Sequence, residues 1–220
     1  MDWENYWDHA AEASNSLSKV GRLNANQEIA ISDAAKHIIR LLDLQKDDQI
    51  LDVCCGNGLI TGYISNAGYK VTGIDLSQNL INQAKQNYPH IHFEQQNALS
   101  FNLNTKFDKI YLAFSFQYFD SYDLGKKVIE NLILHANSGA KILLTDIPDK
   151  NRWGIFYNSF LKKVFYFKQK LTGKQTMGKF WSEKELIKIC DELGVEGKLL
   201  VQPTHLPYQH YRFDFMITKN

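Results

Sequence analysis

The chain has few cysteines and no long apolar run, and both absences limit the classes of protein to which it can belong. Of 220 residues only Cys54, Cys55 and Cys190 are cysteines, and an odd set with two adjacent members argues against a disulfide framework. No apolar run approaches the roughly 20 residues that span a bilayer. Residues 1–16 have neither the basic nor the apolar part of a signal peptide. We therefore expect a cytoplasmic protein.

The sequence also lacks an excess of charge of either sign. Lysine and arginine total 25 against 24 acidic residues, so composition gives no global attraction to nucleic acid or membranes. Apolar residues make up 44% and charged residues 22%, as in an ordinary globular domain. The length and the lack of low-complexity linkers predict a single domain over residues 1–220.

Short β-rich runs alternate with helical patterns through the middle of the chain. The five runs lie at 49–53, 70–76, 91–95, 107–115 and 140–147. This alternation predicts an α/β fold with a doubly wound, mostly parallel sheet and helices on both faces. Two more strands, 198–203 and 211–218, are expected to close it as a hairpin. The result would be seven strands with an antiparallel C-terminal strand.

The pattern divides the domain into four parts. An N-terminal helical cap over 1–44 precedes a core over 45–148. A helical insertion follows the fifth strand, and we interpret residues 149–181 as an aromatic and basic lid. A helix and the closing hairpin complete the chain over 182–220, with the helix predicted from a capping box at its start.

A loop with too few glycines follows the first predicted strand. The stretch "ILDVCCGNGLIT" puts Cys54, Gly56 and Leu59 where a dinucleotide-binding loop has three glycines. Side chains at the first and third of these positions crowd the turn and push the helix away from the sheet. This disfavours a nicotinamide or flavin site. A nucleoside without phosphate needs only close backbone approach, which Gly56 and Gly58 allow.

Polar side chains at the ends of the first three strands suit such a nucleoside. Asp52 can reach the loop amides or a cationic amino group. Asp75 ends the second strand, where a carboxylate can accept hydrogen bonds from ribose hydroxyls. Asn97 follows the third strand, where an amide can recognise adenine. The alternative for Asp75 is a simple helix cap.

These segments resemble the class I S-adenosylmethionine-dependent methyltransferases, in the small-molecule branch. "LDVCCGNG" is similar to the first motif of that family, "VTGIDLS" to the second and "QQNA" to the adenine-contacting motif. "FDKIYLAFSFQYF" and "AKILLTDIP" resemble the fourth and fifth strands. The resemblance covers residues 45–148, which would be the cofactor-binding core. Cys54 replaces a usual glycine and Asn97 a usual aspartate.

The resemblance implies S-adenosylmethionine as cofactor, S-adenosylhomocysteine as product, and a Rossmann-like core. The residues that it implies for cofactor binding are Asp52, Val53, Cys54, Gly56, Asn57, Gly58, Asp75, Leu76, Ser77, Asn97, Ala98, Phe114 and Tyr118. It implies no metal. We expect Cys54 and Cys55 to be packing residues, with a metal or redox pair as the alternative.

The methyl acceptor and the catalytic group stay open at this stage. A hydroxyl acceptor often needs a general base, and His205, His210 and Asp146 are candidates from the sheet end expected to face the substrate. The alternative is that the histidines have no catalytic task. Candidate substrate contacts are Tyr6, Gln117, Tyr118, Tyr208 and Tyr211. "AFSFQYF" lacks the Asn/Asp/Ser-Pro-Pro-aromatic motif of nucleic-acid amino-methylating relatives, so no nucleic-acid partner is expected.

No acidic residue occurs from Lys150 to Lys179, a stretch rich in lysine and aromatics. It could be a lid over the acceptor, a groove for an anionic substrate, or a membrane-surface helix over 155–172. A cap with merely solvated lysines is the alternative. The hypothesis is a small-molecule methyltransferase that acts, without a metal, on a hydroxyl of an anionic or lipid-linked sugar intermediate. A non-catalytic S-adenosylmethionine-binding partner subunit is the alternative, and the oligomeric state is left open.

Overall fold

The computed structural model describes residues 2–12, 27–172 and 177–220. Its helices are α1 (Trp3–Glu12), α2 (Gln27–Leu42), α3 (Leu59–Asn66), α4 (Gln78–Asn87), α5 (Tyr122–Leu134), α6 (Trp153–Phe156), α7 (Phe160–Leu171) and α8 (Glu183–Leu193). Its strands are β1 (Ile50–Val53), β2 (Val71–Asp75), β3 (His92–Gln95), β4 (Phe107–Ala113), β5 (Ala136–Pro148), β6 (Glu196–Leu200) and β7 (Arg212–Thr218). Residues 13–26 of the predicted N-terminal cap and 173–176 of the predicted lid lie outside the described residues.

The strands form one sheet in the order β3-β2-β1-β4-β5-β7-β6. Strands β1 to β5 are parallel, and β7 runs antiparallel to both β5 and β6. The predicted mixed sheet of seven strands is therefore confirmed. Strand order reverses between β1 and β4, and a crevice at the carboxyl ends of the strands is the usual ligand position in such sheets.

Helices cover both faces of the sheet, as predicted. Every residue of β1 is buried, which is typical of a parallel strand covered on both sides. On one face, Leu51 and Val53 belong to a core shared with α5 and α8. On the other face, Ile50 packs in a core with α2 and α3. Because successive strand side chains alternate, Asp52 points toward the second face, near the start of α3.

Local sequence signals set several of the helix ends. The Ser77 hydroxyl accepts a hydrogen bond from the Leu80 amide and caps α4. Ser182 and Glu185 form the predicted capping box of α8. Gly68 follows α3 with φ 89°, the left-handed conformation common just after a helix.

The boundary between α5 and β5 differs from the prediction. The sequence pattern of residues 123–137 is helical and would be closed by Ser138 and Gly139, whereas α5 ends at Leu134 and β5 begins at Ala136. The Phe107 amide donates to the His135 carbonyl oxygen at 2.9 Å, and Gly139 donates to Lys219 at 2.8 Å. Pairing with β4 and with the C-terminal end therefore outweighs the helical pattern of the last turn.

The insertion after β5 is helical, as predicted, and consists of a short turn followed by α6 and α7. Helix α7 has no buried residue. In the described part of the chain, no helix is both long enough and apolar enough to cross a membrane.

Candidate active site

A cavity of about 460 Å³ opens at the carboxyl edge of the sheet, where the order of strands reverses. Loops after β1, β2, β3 and β4 line it together with α1. The predicted cofactor residues that line it are Asp52, Cys54, Gly56, Asn57, Asp75, Leu76, Asn97, Ala98, Phe114 and Tyr118. The other three lie beside it: Val53 is in the core, and Gly58 and Ser77 precede α3 and α4.

The loop after β1 turns through three left-handed residues. Cys54, Gly56 and Gly58 have φ angles of 62°, 56° and 80°. A Cβ at Gly58 would lie 2.9 Å from the Phe93 ring, so glycine is needed there for packing. A Cβ at Gly56 would meet no atom within 4 Å. The backbone at Gly56 therefore leaves space for a ligand to approach closely.

Asp75 ties this loop to the start of α4. One carboxylate oxygen accepts a hydrogen bond from the Gly56 amide at 2.8 Å, and the other accepts one from the Ser77 amide at 3.0 Å. Burial raises the pKa of Asp75, although these amides lower it. Each oxygen keeps a second lone pair, so the carboxylate can also accept hydrogen bonds from a ligand.

Asp52 is buried beneath the same loop. Its Oδ2 atom accepts hydrogen bonds from the Thr61 hydroxyl at 2.6 Å and the Tyr111 hydroxyl at 2.8 Å. Burial raises the pKa of Asp52 to about 7, while the two hydroxyls oppose that rise. A cationic group bound beside Asp52 would favour the ionised carboxylate. The site is therefore suited to an ammonium group.

The adjacent cysteines are enclosed by apolar and acidic neighbours. Cys54 packs against the main core, and Cys55 packs beside Ile81 and Phe93. Burial, with the nearby Asp52 and Asp75 carboxylates, raises the pKa of both thiols well above the usual value. The thiols are therefore protonated and poorly nucleophilic at neutral pH. Within the described ranges, no three His, Cys, Asp or Glu side chains gather as a metal site would require.

Aromatic side chains close the cavity at its other end. The Tyr118 ring lies 4.6 Å from the Trp3 ring and 5.4 Å from the Trp7 ring, measured between centroids. Tyr6 packs edge-on against Trp3 and Trp7 but does not itself line the cavity. The sequence pointed to aromatic residues in this segment, but it did not single out Trp3 as a lining residue.

Hydrogen bonds hold α1 in place against α4. The Asp8 carboxylate accepts from the Ser77 hydroxyl and, at 3.3 Å, from the Asn79 amide. The Gln83 side chain donates to the Ala11 carbonyl oxygen at 3.1 Å. A carboxylate at a helix N-terminus also interacts favourably with the helix dipole. Helix α1 is thus fixed over the cavity by polar contacts as well as by its tryptophans.

A non-glycine residue in the left-handed conformation directly follows β1 and β4, and another lies two residues before the end of the adjacent strand β5. Cys54, Phe114 and Asp146 have φ angles of 62°, 59° and 58°. Such conformations cost on the order of 1 kcal/mol or more each, and they cluster at functional sites. Their common position at one edge of the sheet indicates that the functional site lies at this edge.

Asp146 faces a small second cavity that adjoins the first. Ile31 and Phe114 line both cavities. The remaining walls of the second one are Ala34, Asp146, Leu206, Pro207 and Tyr208. Burial raises the pKa of Asp146 to about 6, although the Arg212 guanidinium opposes that rise. The carboxylate is therefore mostly ionised at neutral pH and still able to accept a proton.

A buried polar network fixes the backbone of Asp146. The Asp214 carboxylate accepts from the Asp146 amide at 2.9 Å and lies 2.7 Å from Nε2 of His37. Arg40 lies 3.1 Å from Nδ1 of His37 and can only donate, so Nε2 of a neutral His37 carries the proton toward Asp214. Gln202 donates to Asp214 at 2.7 Å. No sequence motif pointed to this network.

The other predicted catalytic and substrate residues lie apart from the main cavity. His205 and His210 are exposed, and the His210 ring packs on Tyr211. Tyr211 is buried in an aromatic cluster with Tyr157 and Phe180. Gln117 is buried, and its amide donates to the Phe114 carbonyl oxygen at 2.7 Å. Of the predicted catalytic group, the structure brings only Asp146 next to the cavity.

Comparison with known proteins is consistent with this geometry. Residues 50–137 match the methyltransferase domain family. Protein 235L of Invertebrate iridescent virus 6, which is named as a methyltransferase, is 25% identical over 60% of this chain, and the chain spans only 55% of that protein. The demethylmenaquinone methyltransferase of Staphylococcus epidermidis is 27% identical over 74% of this chain and 70% of its own length.

A solved structure extends the likeness to the whole fold. Magnesium protoporphyrin IX methyltransferase from Synechocystis PCC 6803, with bound S-adenosylhomocysteine, superposes with a TM-score of 0.69 at 15% identity. The alignment covers 99% of this chain and 98% of that one. The matched domain lies on the strands and loops that build the cavity. Residues 50–137 thus match a methyltransferase domain, and the chain as a whole shares the fold of solved S-adenosylmethionine-dependent methyltransferases.

Proposed function

We propose that this chain is a class I S-adenosylmethionine-dependent methyltransferase, and that it acts on a small-molecule acceptor that enters between the aromatic residues and Asp146. The observation that carries the proposal is that the main cavity and the Asp146 cavity share Ile31 and Phe114 as walls. The main cavity, of about 460 Å³ under α1, is within the size range of small-molecule sites. We expect no nucleic-acid substrate.

The residues at the loop end of the cavity, where the loop of residues 54–58 meets Asp75, fit S-adenosylmethionine. Asp52 would hold its amino group, Gly56 would allow close backbone approach, and Asp75 would accept hydrogen bonds from the ribose hydroxyls. Leu76, Asn97 and Ala98 would surround the adenine; the Asn97 carbonyl group accepts from the Leu99 amide at 2.9 Å, so its amino group can donate to the base. When bound, this cofactor supplies an electrophilic methyl group on a sulfonium.

The chain itself aligns the acceptor and excludes water. Trp3, Trp7 and Tyr118 enclose the space at the aromatic end, which limits hydrolysis and fixes the approach of the acceptor. Asp146 would accept a proton from an acceptor hydroxyl or hold that hydroxyl by a hydrogen bond. His205 and His210 stay predictions as bases, and both would have to move to serve. Tyr6, Gln117, Tyr208 and Tyr211 stay predicted substrate contacts.

The finer proposal is O-methylation of an anionic or lipid-linked sugar intermediate. The basic insertion after β5 favours an anionic acceptor, and a hydroxyl acceptor would use Asp146. A second acceptor class is a lipid-soluble ring compound. The apolar and aromatic walls favour it, and the similar protein from Staphylococcus epidermidis is named for demethylmenaquinone.

Transfer of a labelled methyl group tests the proposal. The chain would be incubated with labelled S-adenosylmethionine and either phosphorylated sugars, lipid-linked sugars or lipid-soluble quinol precursors. We expect label in one small-molecule class, lost in Asp75→Ala and retained in Asp47→Ala, whose carboxylate is exposed and away from the cavity. Cofactor binding without transfer to any small molecule in a cell extract would instead favour a partner-subunit role. Label in protein or nucleic acid would contradict the proposal.

A further inference from the structure

Exposed apolar side chains are concentrated in one short segment. Of the nine large hydrophobic side chains exposed in the described residues, only Leu134 and Val201 lie outside it. The seven others are Ile155, Phe160, Leu161, Val164, Phe165, Phe167 and Leu171. Leu171 is 89% exposed and Phe160 79%. A contiguous exposed apolar patch of this kind marks an interaction surface.

Four of these apolar residues form one face of α7, and Leu161 and Phe165 lie beside it. Phe160, Val164, Phe167 and Leu171 follow the spacing i, i+4, i+7, i+11, which aligns side chains along a helix. The helix contacts the body of the protein on another side, where the Tyr166 ring lies 4.8 Å from the Tyr157 ring. The apolar face is therefore turned outward although the helix is anchored.

Positive charge surrounds this face. Lys162, Lys163, Lys168 and Lys170 are all exposed on α7, and the helix has no acidic residue. None of these lysines forms an ion pair with a carboxylate in the described parts of the chain. Exposed phenylalanine and leucine beside lysines that have no carboxylate partner in the described residues suit a surface with an apolar interior and an anionic outer layer.

We propose that α7 docks on the surface of an anionic lipid membrane. The apolar face would enter the boundary between headgroups and acyl chains, with the lysines at the level of the phosphates. At 12 residues the helix lies in the interface and does not span it. Charge complementarity favours a lipid surface over an apolar face of another protein, because the apolar stripe is bordered by charge of one sign only.

The anchor of α7 connects this surface to the Asp146 cavity. Tyr166 and Trp153 belong to the same aromatic cluster as Tyr208, and Tyr208 lines that cavity beside Asp146. Docking would therefore bring the acceptor side of the protein close to the lipid layer. The binding itself does not depend on which acceptor is methylated.

Vesicle co-sedimentation of the full chain tests the docking. The probes are vesicles of phosphatidylcholine with and without phosphatidylglycerol. We expect binding only to the anionic vesicles, and weakening as salt is added. The double variant Phe160→Gln/Phe165→Gln should bind roughly tenfold or more weakly, because it loses two exposed rings that would enter the membrane. Lys168→Gln/Lys170→Gln should weaken binding about fivefold per lysine.

Matched variants separate docking from general effects. Leu134→Gln removes an equally exposed apolar residue at the opposite edge of the sheet, and Lys127→Gln removes an exposed lysine on α5; both should bind as the parent does. Circular dichroism and S-adenosylmethionine binding check that all variants fold. Equal binding to neutral vesicles, no binding, or unchanged binding of the α7 variants would overturn the proposal. So would a dimer that forms through α7, seen by analytical ultracentrifugation, without vesicle binding.

Discussion

At one end of the main cavity, the loop end, the loop of residues 54–58 meets the Asp75 carboxylate through the Gly56 amide. At the other, the aromatic end, the rings of Trp3, Trp7 and Tyr118 meet across more than 100 residues of sequence. The loop end depends on backbone conformation and two hydrogen bonds to Asp75. The aromatic end depends on the docking of α1 through Asp8 and Gln83.

The two ends should therefore contribute differently to affinity for the methyl donor and to selectivity for the acceptor. Buried hydrogen bonds and strained backbone at the loop end are hard to rearrange, so they should dominate binding of the methyl donor. Ring contacts at the aromatic end are less directional, so they should tolerate changes in the position of the ligand better than hydrogen bonds do. Changes at the loop end should therefore affect the donor strongly, and changes at the aromatic end less so.

The largest effect is expected for Asp75→Ala. The substitution removes the proposed ribose contact and leaves the Gly56 and Ser77 amides without their acceptor, so the Kd for S-adenosylmethionine should rise about a hundredfold or more. Isothermal titration calorimetry measures it. Asp47→Ala should bind as the parent chain does. An unchanged Kd in a folded Asp75→Ala protein would contradict the assignment of the loop end.

A smaller effect is expected for Trp7→Ala. Trp7 packs against Tyr118 and against Leu80, so its loss should weaken S-adenosylmethionine binding about tenfold and raise the acceptor KM. Steady-state kinetics and calorimetry measure the two effects. Trp153→Ala, in α6, is the control and should leave donor affinity unchanged. A loss as large as that of Asp75→Ala would erase the distinction between the two ends.

Donor binding should also depend on pH. The pKa of Asp52 is raised to about 7 in the free protein, and an ammonium group binds best to the ionised carboxylate. Protonation competes with binding below that pH, so the Kd should rise about fivefold from pH 7 to pH 6. Asp52→Asn should bind more weakly and lose this dependence. A flat profile in the parent chain would show that Asp52 does not contact the amino group.

The smallest effect concerns the stability of the ligand-free protein. The folded-state pKa is about 7 for Asp52 and about 6 for Asp146, above the ordinary value of 3.8. Between pH 3.8 and the raised pKa of each carboxyl group, the folded state holds more protons than the unfolded state. The free energy of unfolding therefore falls as pH rises through this range. We expect a Tm roughly 5 °C higher at pH 5 than at pH 7.5, by scanning fluorimetry. Asp52→Asn should flatten this trend, and a Tm that increases with pH in the parent chain would contradict it.

The sequence predicted the loop end of the cavity better than the aromatic end. The sheet, the caps and the loop after β1 were predictable, because each rests on residues adjacent in sequence. The contact of Trp3 with Tyr118 and the pair of His37 with Asp214 were not, because the folded chain alone brings them together. His205 was expected near the substrate from its place before the last strand. Its place in the sequence predicted the sheet edge at which it lies, but not that its side chain would be exposed to solvent.

A crystal structure with S-adenosylhomocysteine tests the central claim most directly. The account predicts the ligand in the main cavity, with its ribose hydroxyls on the Asp75 carboxylate, its amino group beside Asp52, and its sulfur facing the aromatic end and Asp146. Electron density for the ligand at another place would contradict it. So would a ligand in the same cavity whose ribose makes no contact with Asp75.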